Sequence, residues 1–84
     1  MKPIRLTAHA RGYTARRGFT VEEVEQTIRE SSWEPALRGK MECRKNFPYQ
    51  GQWSGKGYAT KQVRPVFVEE MDEIVVITVY TYFF

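Results

Sequence analysis

Residues 40–47, Lys40-Met41-Glu42-Cys43-Arg44-Lys45-Asn46-Phe47, decide the fold class, because here the apolar period changes from that of a helix to that of a strand. Met41, Cys43 and Phe47 fall on one side of an extended chain, and polar residues fall mainly on the other. The chain before this stretch carries helix signals and the chain after it carries strand signals. The sequence therefore predicts an α+β domain.

Two helix signals precede this strand. Thr7 is a candidate N-cap for a helix over residues 8–17, and Gly18 is a natural left-handed terminator for it. Residues 20–23, Thr20-Val21-Glu22-Glu23, form a capping box that opens a second helix. This helix should fade near Ser31 and Ser32, because Pro35 forbids its extension.

Three further segments have strand character. Residues 4–6 are a candidate short strand, and residues 58–69 form a strand in which Pro65 argues for an edge position or a bulge. Residues 74–84 are typical of a central strand, whereas residues 48–57, with one proline and three glycines, predict a loop. We therefore expect two N-terminal helices packed on one face of a small, mainly antiparallel sheet of three or four strands.

The length of 84 residues is enough for a single domain over residues 1–84, and the apolar fraction of 42% is ordinary for a globular protein. No apolar run approaches the roughly 20 residues that span a bilayer, and the first residues lack the apolar core of a secretion signal. A lone cysteine, Cys43, cannot form an internal disulfide. We expect a cytoplasmic protein without membrane contact.

The net charge of +3 is unevenly distributed. Basic residues concentrate in residues 1–20 and 35–64, and acidic residues concentrate in residues 21–34 and 65–84. Basic segments that meet in space would form a face for a polyanion such as RNA. Segments that neutralise one another would instead form an ordinary mixed surface, and the charge leaves both interpretations open.

Metal and cofactor chemistry has no support in the sequence. One histidine and one cysteine fit no zinc spacing, and residues 51–57 lack the spacing and the following helix of a phosphate-binding loop. Cys43 lies on the apolar side of its strand and is interpreted as core filler. We expect neither a metal nor a cofactor.

His9, Tyr13 and Arg16 share one stripe of the predicted first helix, and Arg17 lies beside it. RNA cleavage requires such groups: one activates the 2′-hydroxyl, another protonates the leaving oxygen, and cations stabilise the phosphorane. A histidine that hydrogen-bonds the sheet and an arginine that joins two helices would explain the same residues.

A second candidate set lies on the predicted strands. Arg44, Arg64 and Tyr80 would form a concave phosphate site if they meet with Glu42 on the face away from the helices. Ordinary exposed decoration of a sheet is the alternative. A regular strand would place Lys61 on the opposite face from Arg64 unless a bulge near Pro65 intervenes.

The segment 47–58 interleaves aromatic residues with glycines and a lysine. Trp53 could stack on unpaired bases while Lys56 meets phosphate. A flexible hairpin whose tyrosines fold back on the core is an equal alternative.

Several short motifs together resemble a known family. They are Thr7-Ala8-His9-Ala10, Arg17-Gly18-Phe19-Thr20, Glu23-Val24 and Val76-Ile77-Thr78-Val79-Tyr80. The chain resembles the domain-of-unknown-function family 4258, whose members are thought to share the fold of RelE- and BrnT-type toxins, in a wider group that includes barnase-like ribonucleases. The resemblance implies a RelE-like fold and metal-independent RNA cleavage. It marks His9 and Arg17 as shared positions and matches Arg64 and Tyr80 less closely.

We therefore predict a metal-independent endoribonuclease, the toxin of a toxin–antitoxin pair, with RNA and an antitoxin as partners. In this hypothesis Arg44 and Arg64 hold the scissile phosphate, His9 or Glu42 is the base, and Tyr80 donates a proton or stacks on a base. Further RNA-binding candidates are Arg16, Arg17, Lys45, Lys56, Lys61 and Trp53. The alternative is a non-catalytic RNA- or protein-binding module. The aromatic end, residues 80–84, either docks on its own core or pairs the last strand in a homodimer.

Overall fold

A mixed six-stranded sheet dominates the computed structural model, which describes all 84 residues. No helix in it has the length and apolar character needed to cross a bilayer. The elements in chain order are β1 (Ile4–Leu6), α1 (Ala8–Gly12), α2 (Thr14–Arg17), α3 (Val21–Glu30), β2 (Glu34–Pro35), a 3-10 turn (Leu37–Gly39), β3 (Met41–Glu42), β4 (Lys45–Trp53), β5 (Lys56–Glu69) and β6 (Ile74–Phe83).

The long strand β5 organises the sheet, because it pairs on both sides. On one side β4 pairs with its first half and β3 with its second half, and β2 lies outside β3. On its other side β5 pairs with β6, and β1 lies outside β6. All pairs are antiparallel except β1 with β6, which run parallel with Ile4 opposite Ile74.

The predicted fold of two helices on three or four strands is wrong. The first helix is two short helices, because the chain leaves helical geometry at Tyr13, with φ −96° and ψ 3°. The predicted loop over residues 48–57 is a hairpin between β4 and β5, since Ser54 and Gly55 both adopt the positive φ of a two-residue hairpin turn. The two-residue strands β2 and β3 complete the larger sheet.

The signals at the helix ends are confirmed. Thr20 and Glu23 form the predicted capping box: the Thr20 hydroxyl accepts from the Glu23 amide at 3.1 Å, and the Glu23 carboxylate accepts from the Thr20 amide at 2.9 Å. Thr7 caps α1 by accepting from the Ala10 amide at 3.1 Å. Gly18 ends α2 in the left-handed conformation, with φ 71°.

Pro65 lies in the central strand β5, so of the two predicted alternatives, an edge position or a bulge, the edge position is wrong. Its carbonyl accepts a hydrogen bond from the Cys43 amide at 3.4 Å, and in an antiparallel strand the nitrogen of the same residue faces the same neighbour. That neighbour is the gap between β3 and β4, so the missing N–H of proline falls where the ladder is already interrupted. The bulge of this region is in β6, at Ile77, so Lys61 and Arg64 keep opposite faces.

The core lies between the helices and one face of the sheet. It contains Val24 and Ile28 of α3 together with Val63 and Phe67 of β5. Cys43 is buried there as predicted, and its burial raises the pKa of the thiol to about 11. Side chains alternate along the strands, so the sheet has a second face that points away from α3. We call this second face of the sheet the open face. It carries Arg64 and Val66 of β5 and Thr78 and Tyr80 of β6.

Candidate functional site

A groove of about 690 Å³ runs along the open face. Glu42, Arg64 and Val66 lie at its base, and Thr78 and Tyr80 of β6 line one side. The opposite side is lined by Pro35, the last residue of β2, and by Ala36, Leu37 and Lys40 of the segment that links β2 to β3. This open-face groove is the largest concave feature of the molecule, and its volume suits a small ligand or one to two nucleotides.

Strand register brings the polar groups of the groove together. Arg64 lies opposite Tyr80, and Glu42 lies opposite Val66, two residues further along β5. The Arg64 Nε atom is 3.6 Å from Glu42 Oε2, and the guanidinium lies 5.2 Å from the centroid of the Tyr80 ring. A carboxylate, a guanidinium and a phenol are therefore neighbours in one groove.

Arg64 is held by charge and by ring contact instead of by hydrogen bonds. Its Nε atom is buried, and no hydrogen bond from the guanidinium is made within the chain. The side chain is 30% exposed. Its remaining donors are therefore available to an anionic ligand in the groove.

Arg17 connects the helical segment to the groove. Its Nη1 donates to the Val79 carbonyl at 2.8 Å and to the Thr78 hydroxyl at 3.2 Å. Its guanidinium lies 4.2 Å from the Tyr13 ring and 5.2 Å from the Tyr80 ring. The phenol of Tyr80 therefore has two guanidiniums, those of Arg17 and Arg64, within cation–π distance.

His9 lies outside the groove. Its imidazole is exposed and packs against Tyr13, with 4.8 Å between the ring centroids. A series of contacts through Tyr13 and Arg17 leads from His9 to Tyr80. The predicted helix stripe and the predicted sheet site are thus adjacent, but the imidazole does not reach the groove.

Arg44 does not join the other predicted site residues. Its Nη2 lies 3.4 Å from Glu34 Oε1 of the edge strand β2, and Arg44 does not line the groove. The chain leaves strand geometry at Cys43 and Arg44, between β3 and β4, so the simple alternation that grouped Arg44 with Arg64 fails there. The predicted pairing of Arg44 with Arg64 around one phosphate is not assembled.

Lys61, predicted to bind RNA, is buried on the helix side of the sheet. Its Nζ donates to the Gly18 carbonyl at 3.0 Å and lies 2.8 Å from Glu23 Oε2. Trp53 stacks on Phe83 with 4.8 Å between centroids, so its indole face is engaged within the fold. Both residues have structural contacts that the sequence did not indicate.

The other RNA-binding candidates have separate positions. Lys45 lies 3.3 Å from Glu30 Oε1 on the helix side of the sheet. Arg16 and Lys56 are exposed and have no acidic partner, but neither lines the groove. Of the six candidates, Arg17 alone contacts a groove residue through hydrogen bonds.

Sequence reasoning missed Lys40 and residues 35–37, which form the side of the groove opposite Tyr80. We call residues 35–37 the wall. Lys40 shares the polar side of the predicted strand with Glu42, so the same alternation could have included it. The wall depends on how the β2–β3 link folds back over the open face, and no local pattern in residues 35–37 signals that.

The C-terminal strand docks on its own chain. β6 lies between β5 and β1, and the backbone of Phe84 exchanges two hydrogen bonds with Thr60, at 2.8 and 3.0 Å. Phe83 packs against Tyr49 and Trp53. These contacts correspond to the alternative in which residues 80–84 dock on the core of their own chain. A homodimer through this strand stays a prediction.

No group of three or more His, Cys, Asp or Glu side chains is arranged to hold a metal ion. Comparison of the chain with protein-family models, with curated proteins and with solved structures found no match. The resemblance to family 4258 and to RelE-type toxins therefore stays a prediction from short motifs.

Proposed function

We propose that the protein is a metal-independent endoribonuclease that cleaves single-stranded RNA in the open-face groove. The observation that carries the proposal is that Glu42, Arg64 and Tyr80 line the same groove. These side chains supply a base, a phosphate-binding cation and a phenol, which are the functions that RNA transesterification needs.

In the proposed reaction the Glu42 carboxylate takes the proton of a 2′-hydroxyl, and the 2′-oxygen forms a bond to the adjacent phosphorus. The bond from phosphorus to the 5′-oxygen breaks, and the Tyr80 phenol donates a proton to that oxygen before water reprotonates the phenolate. The products are a 2′,3′-cyclic phosphate and a 5′-hydroxyl. Arg64 stabilises the negative charge that develops on the phosphorane.

One role differs from that expected from the sequence: Arg17 replaces Arg44 as the second cation, since Arg17 lies against Tyr80 and Arg44 is paired with Glu34. Of the two bases that the sequence left open, His9 and Glu42, the proposal takes Glu42, since the imidazole of His9 lies outside the groove.

The test is cleavage of a mixed-sequence single-stranded RNA in the presence of EDTA, with the cyclic phosphate as the product assayed. Glu42→Gln should lower the rate by about 10²–10⁴-fold, the range for loss of a general base. Glu34→Gln is the matched control, because Glu34 also pairs with an arginine but lies outside the groove. Its rate should stay within about twofold of wild type. Wild-type cleavage by Glu42→Gln would contradict the proposed chemistry.

A second candidate function is a non-catalytic RNA-binding module that uses the same groove. Two observations favour it: Glu42 Oε2 lies 3.6 Å from Arg64 Nε, and His9, the only histidine of the chain, does not line the groove. This candidate predicts salt-dependent retention of RNA that is recovered intact. The cyclic-phosphate assay separates the two functions directly.

The toxin role within a toxin–antitoxin pair is a further part of the proposal and is supported by the motif resemblance alone. Expression of the chain should arrest growth, and co-expression of the protein encoded by the neighbouring gene should relieve the arrest. Glu42→Gln should remove the arrest, because it depends on RNA cleavage. Arrest that persists in Glu42→Gln would argue against a ribonuclease toxin.

A further inference from the structure

Lys40 is the one cationic side chain of the groove that has no acidic partner. Arg64, the other cation that lines the groove, lies 3.6 Å from Glu42. No carboxylate lies within ion-pair distance of Lys40, and its side chain makes no hydrogen bond. Glu42 partly neutralises the charge of Arg64, so the net positive charge of the groove lies mainly on Lys40.

A tight turn fixes the position of Lys40. The Ala36 amide donates to the Lys40 carbonyl at 2.8 Å, and Arg38 and Gly39 both adopt positive φ, at 61° and 75°. A positive φ is unfavourable for a non-glycine residue such as Arg38, so the shape of this turn is maintained against local strain. The turn brings Lys40 and the apolar residues 35–37 to the same side of the groove.

The apolar side of the groove is largely uncovered. Leu37 is 85% exposed, and Pro35 and Leu37 lie on the side of the groove opposite Tyr80, whose ring is also exposed. An apolar wall and an aromatic ring on the two sides of a groove are suited to a flat, uncharged group between them. The lone ammonium nearby is suited to an anion on the same ligand.

We propose that the turn at residues 35–40 completes a nucleotide-binding site for unpaired RNA. One base lies between Tyr80 and the wall of Pro35 and Leu37, and Lys40 binds the phosphate next to that base. The inference deepens the proposed function and rests on it for the identity of the polymer. Bases of a duplex are stacked within the helix and present no free face to Tyr80, so the site selects single-stranded over double-stranded RNA.

Binding is measured by fluorescence anisotropy with a labelled 2′-O-methyl RNA oligonucleotide, which cannot be cleaved, in single-stranded and duplex forms. Lys40→Ala should weaken binding of the single strand about tenfold and lower its log–log salt slope by about 0.7, the value for one phosphate contact. Lys40→Arg should restore most of the affinity. Arg29→Ala is the matched control, because Arg29 is an exposed cation of α3 that has no acidic partner and lies outside the groove.

The contribution of Leu37, on the apolar side of the groove, to RNA binding is tested with Leu37→Ala. Leu37 is exposed, so this substitution should leave the unfolding free energy unchanged while weakening single-strand binding about three- to fivefold. Weak binding of the duplex should not change. Equal losses of affinity in Lys40→Ala and Arg29→Ala, or equal affinity of wild type for single strand and duplex, would overturn the inference.

The outcomes also separate this inference from the proposed nuclease. RNA cleavage by wild type with unchanged affinity in Lys40→Ala and Leu37→Ala would keep the nuclease and overturn the nucleotide site. Binding that depends on Lys40 and Leu37 without any cleavage would overturn the nuclease and keep the site. Absence of RNA binding by wild type would overturn both.

Discussion

Replacing Lys61 by methionine tests whether this lysine stabilises the fold or binds RNA. The Lys61 side chain is 9% exposed, and its Nζ lies 2.8 Å from Glu23 Oε2 and 3.0 Å from the Gly18 carbonyl. It therefore joins β5 to the first turn of α3 and to the end of α2. Lys61→Met keeps the aliphatic stem and removes the charge.

The expected loss of unfolding free energy follows from the burial of the Lys61–Glu23 ion pair. Removing one partner of a buried ion pair costs about 3–5 kcal/mol, because the other charge stays buried and uncompensated. Glu23 is 20% exposed and keeps its hydrogen bond from the Thr20 amide, so water can compensate part of the loss. We expect Lys61→Met to lower the unfolding free energy by about 2–3 kcal/mol. For a domain of this size that corresponds to a fall in Tm of about 10–20 °C.

The assay is urea denaturation of wild type, Lys61→Met, Glu23→Gln and the double variant. The double-mutant cycle should give a coupling energy of at least about 1 kcal/mol. Lys56→Met, at an exposed lysine of the same strand, should stay within about 0.5 kcal/mol of wild type. RNA affinity of folded Lys61→Met should match wild type. Unchanged stability combined with weaker RNA binding would refute the structural assignment of Lys61.

Three further perturbations have defined outcomes. Gly18→Ala should destabilise the fold by about 2 kcal/mol in thermal denaturation, because its φ is +71° and an added Cβ would lie 2.7 Å from an indole carbon. Gly12→Ala, with nothing within 4 Å of the added Cβ, should stabilise it by about 0.5–1 kcal/mol; equal effects of the two would contradict this reasoning. Hydrogen bonds from Arg5 lower the pKa of Glu73 below its ordinary value of 4.5, so the pair stabilises the fold above that pH. The stability difference between wild type and Glu73→Gln should therefore disappear as the pH falls through the lowered pKa, and a difference that persists in acid would count against the pair. Burial raises the pKa of Cys43 to about 11, so the native thiol should react with a disulfide reagent at pH 8 orders of magnitude more slowly than the urea-unfolded chain, whereas comparable rates would show an accessible thiol.

Local signals in the sequence predicted the ends of the helices well. The capping box of Thr20 and Glu23 and the left-handed Gly18 depend on residues that are neighbours in the chain, so their geometry is determined before any tertiary contact forms. The extent of the sheet was not predictable in the same way. β2 contains two residues and carries no periodic signal, and the single strand predicted over residues 40–47 is divided into β3 and the start of β4 by an interruption at Cys43 and Arg44.

Pro65 illustrates a nonlocal reason for error. Proline in a strand indicates an edge, yet β5 is central because the gap between β3 and β4 faces the position where the proline donor is missing. The position of that gap depends on the partner strands and cannot be derived from the sequence around Pro65.

Part of the candidate site was predictable from alternation along the strands. Side-chain period placed Glu42 on the polar side of its strand, and the hypothesis that Arg64 and Tyr80 lie on the same face agrees with the groove, which all three residues line. The same reasoning failed for Arg44, because the strand is interrupted there and Glu34 lies within ion-pair distance. Alternation placed Lys61 on the other face but could not reveal the acid of α3 that covers it.

The parallel pairing of β1 with β6 has a consequence for synthesis of the chain on the ribosome. Leu6 pairs with Val76, and the contacts that join these strands span about 70 residues. At a translation rate of about 5–20 residues per second, β1 waits roughly 4–14 s for its partner strand. During this interval the apolar side chains of β1 are exposed on a nascent chain that cannot yet close its sheet. We therefore expect chaperones that bind nascent chains to engage this N-terminal segment before β6 has been translated.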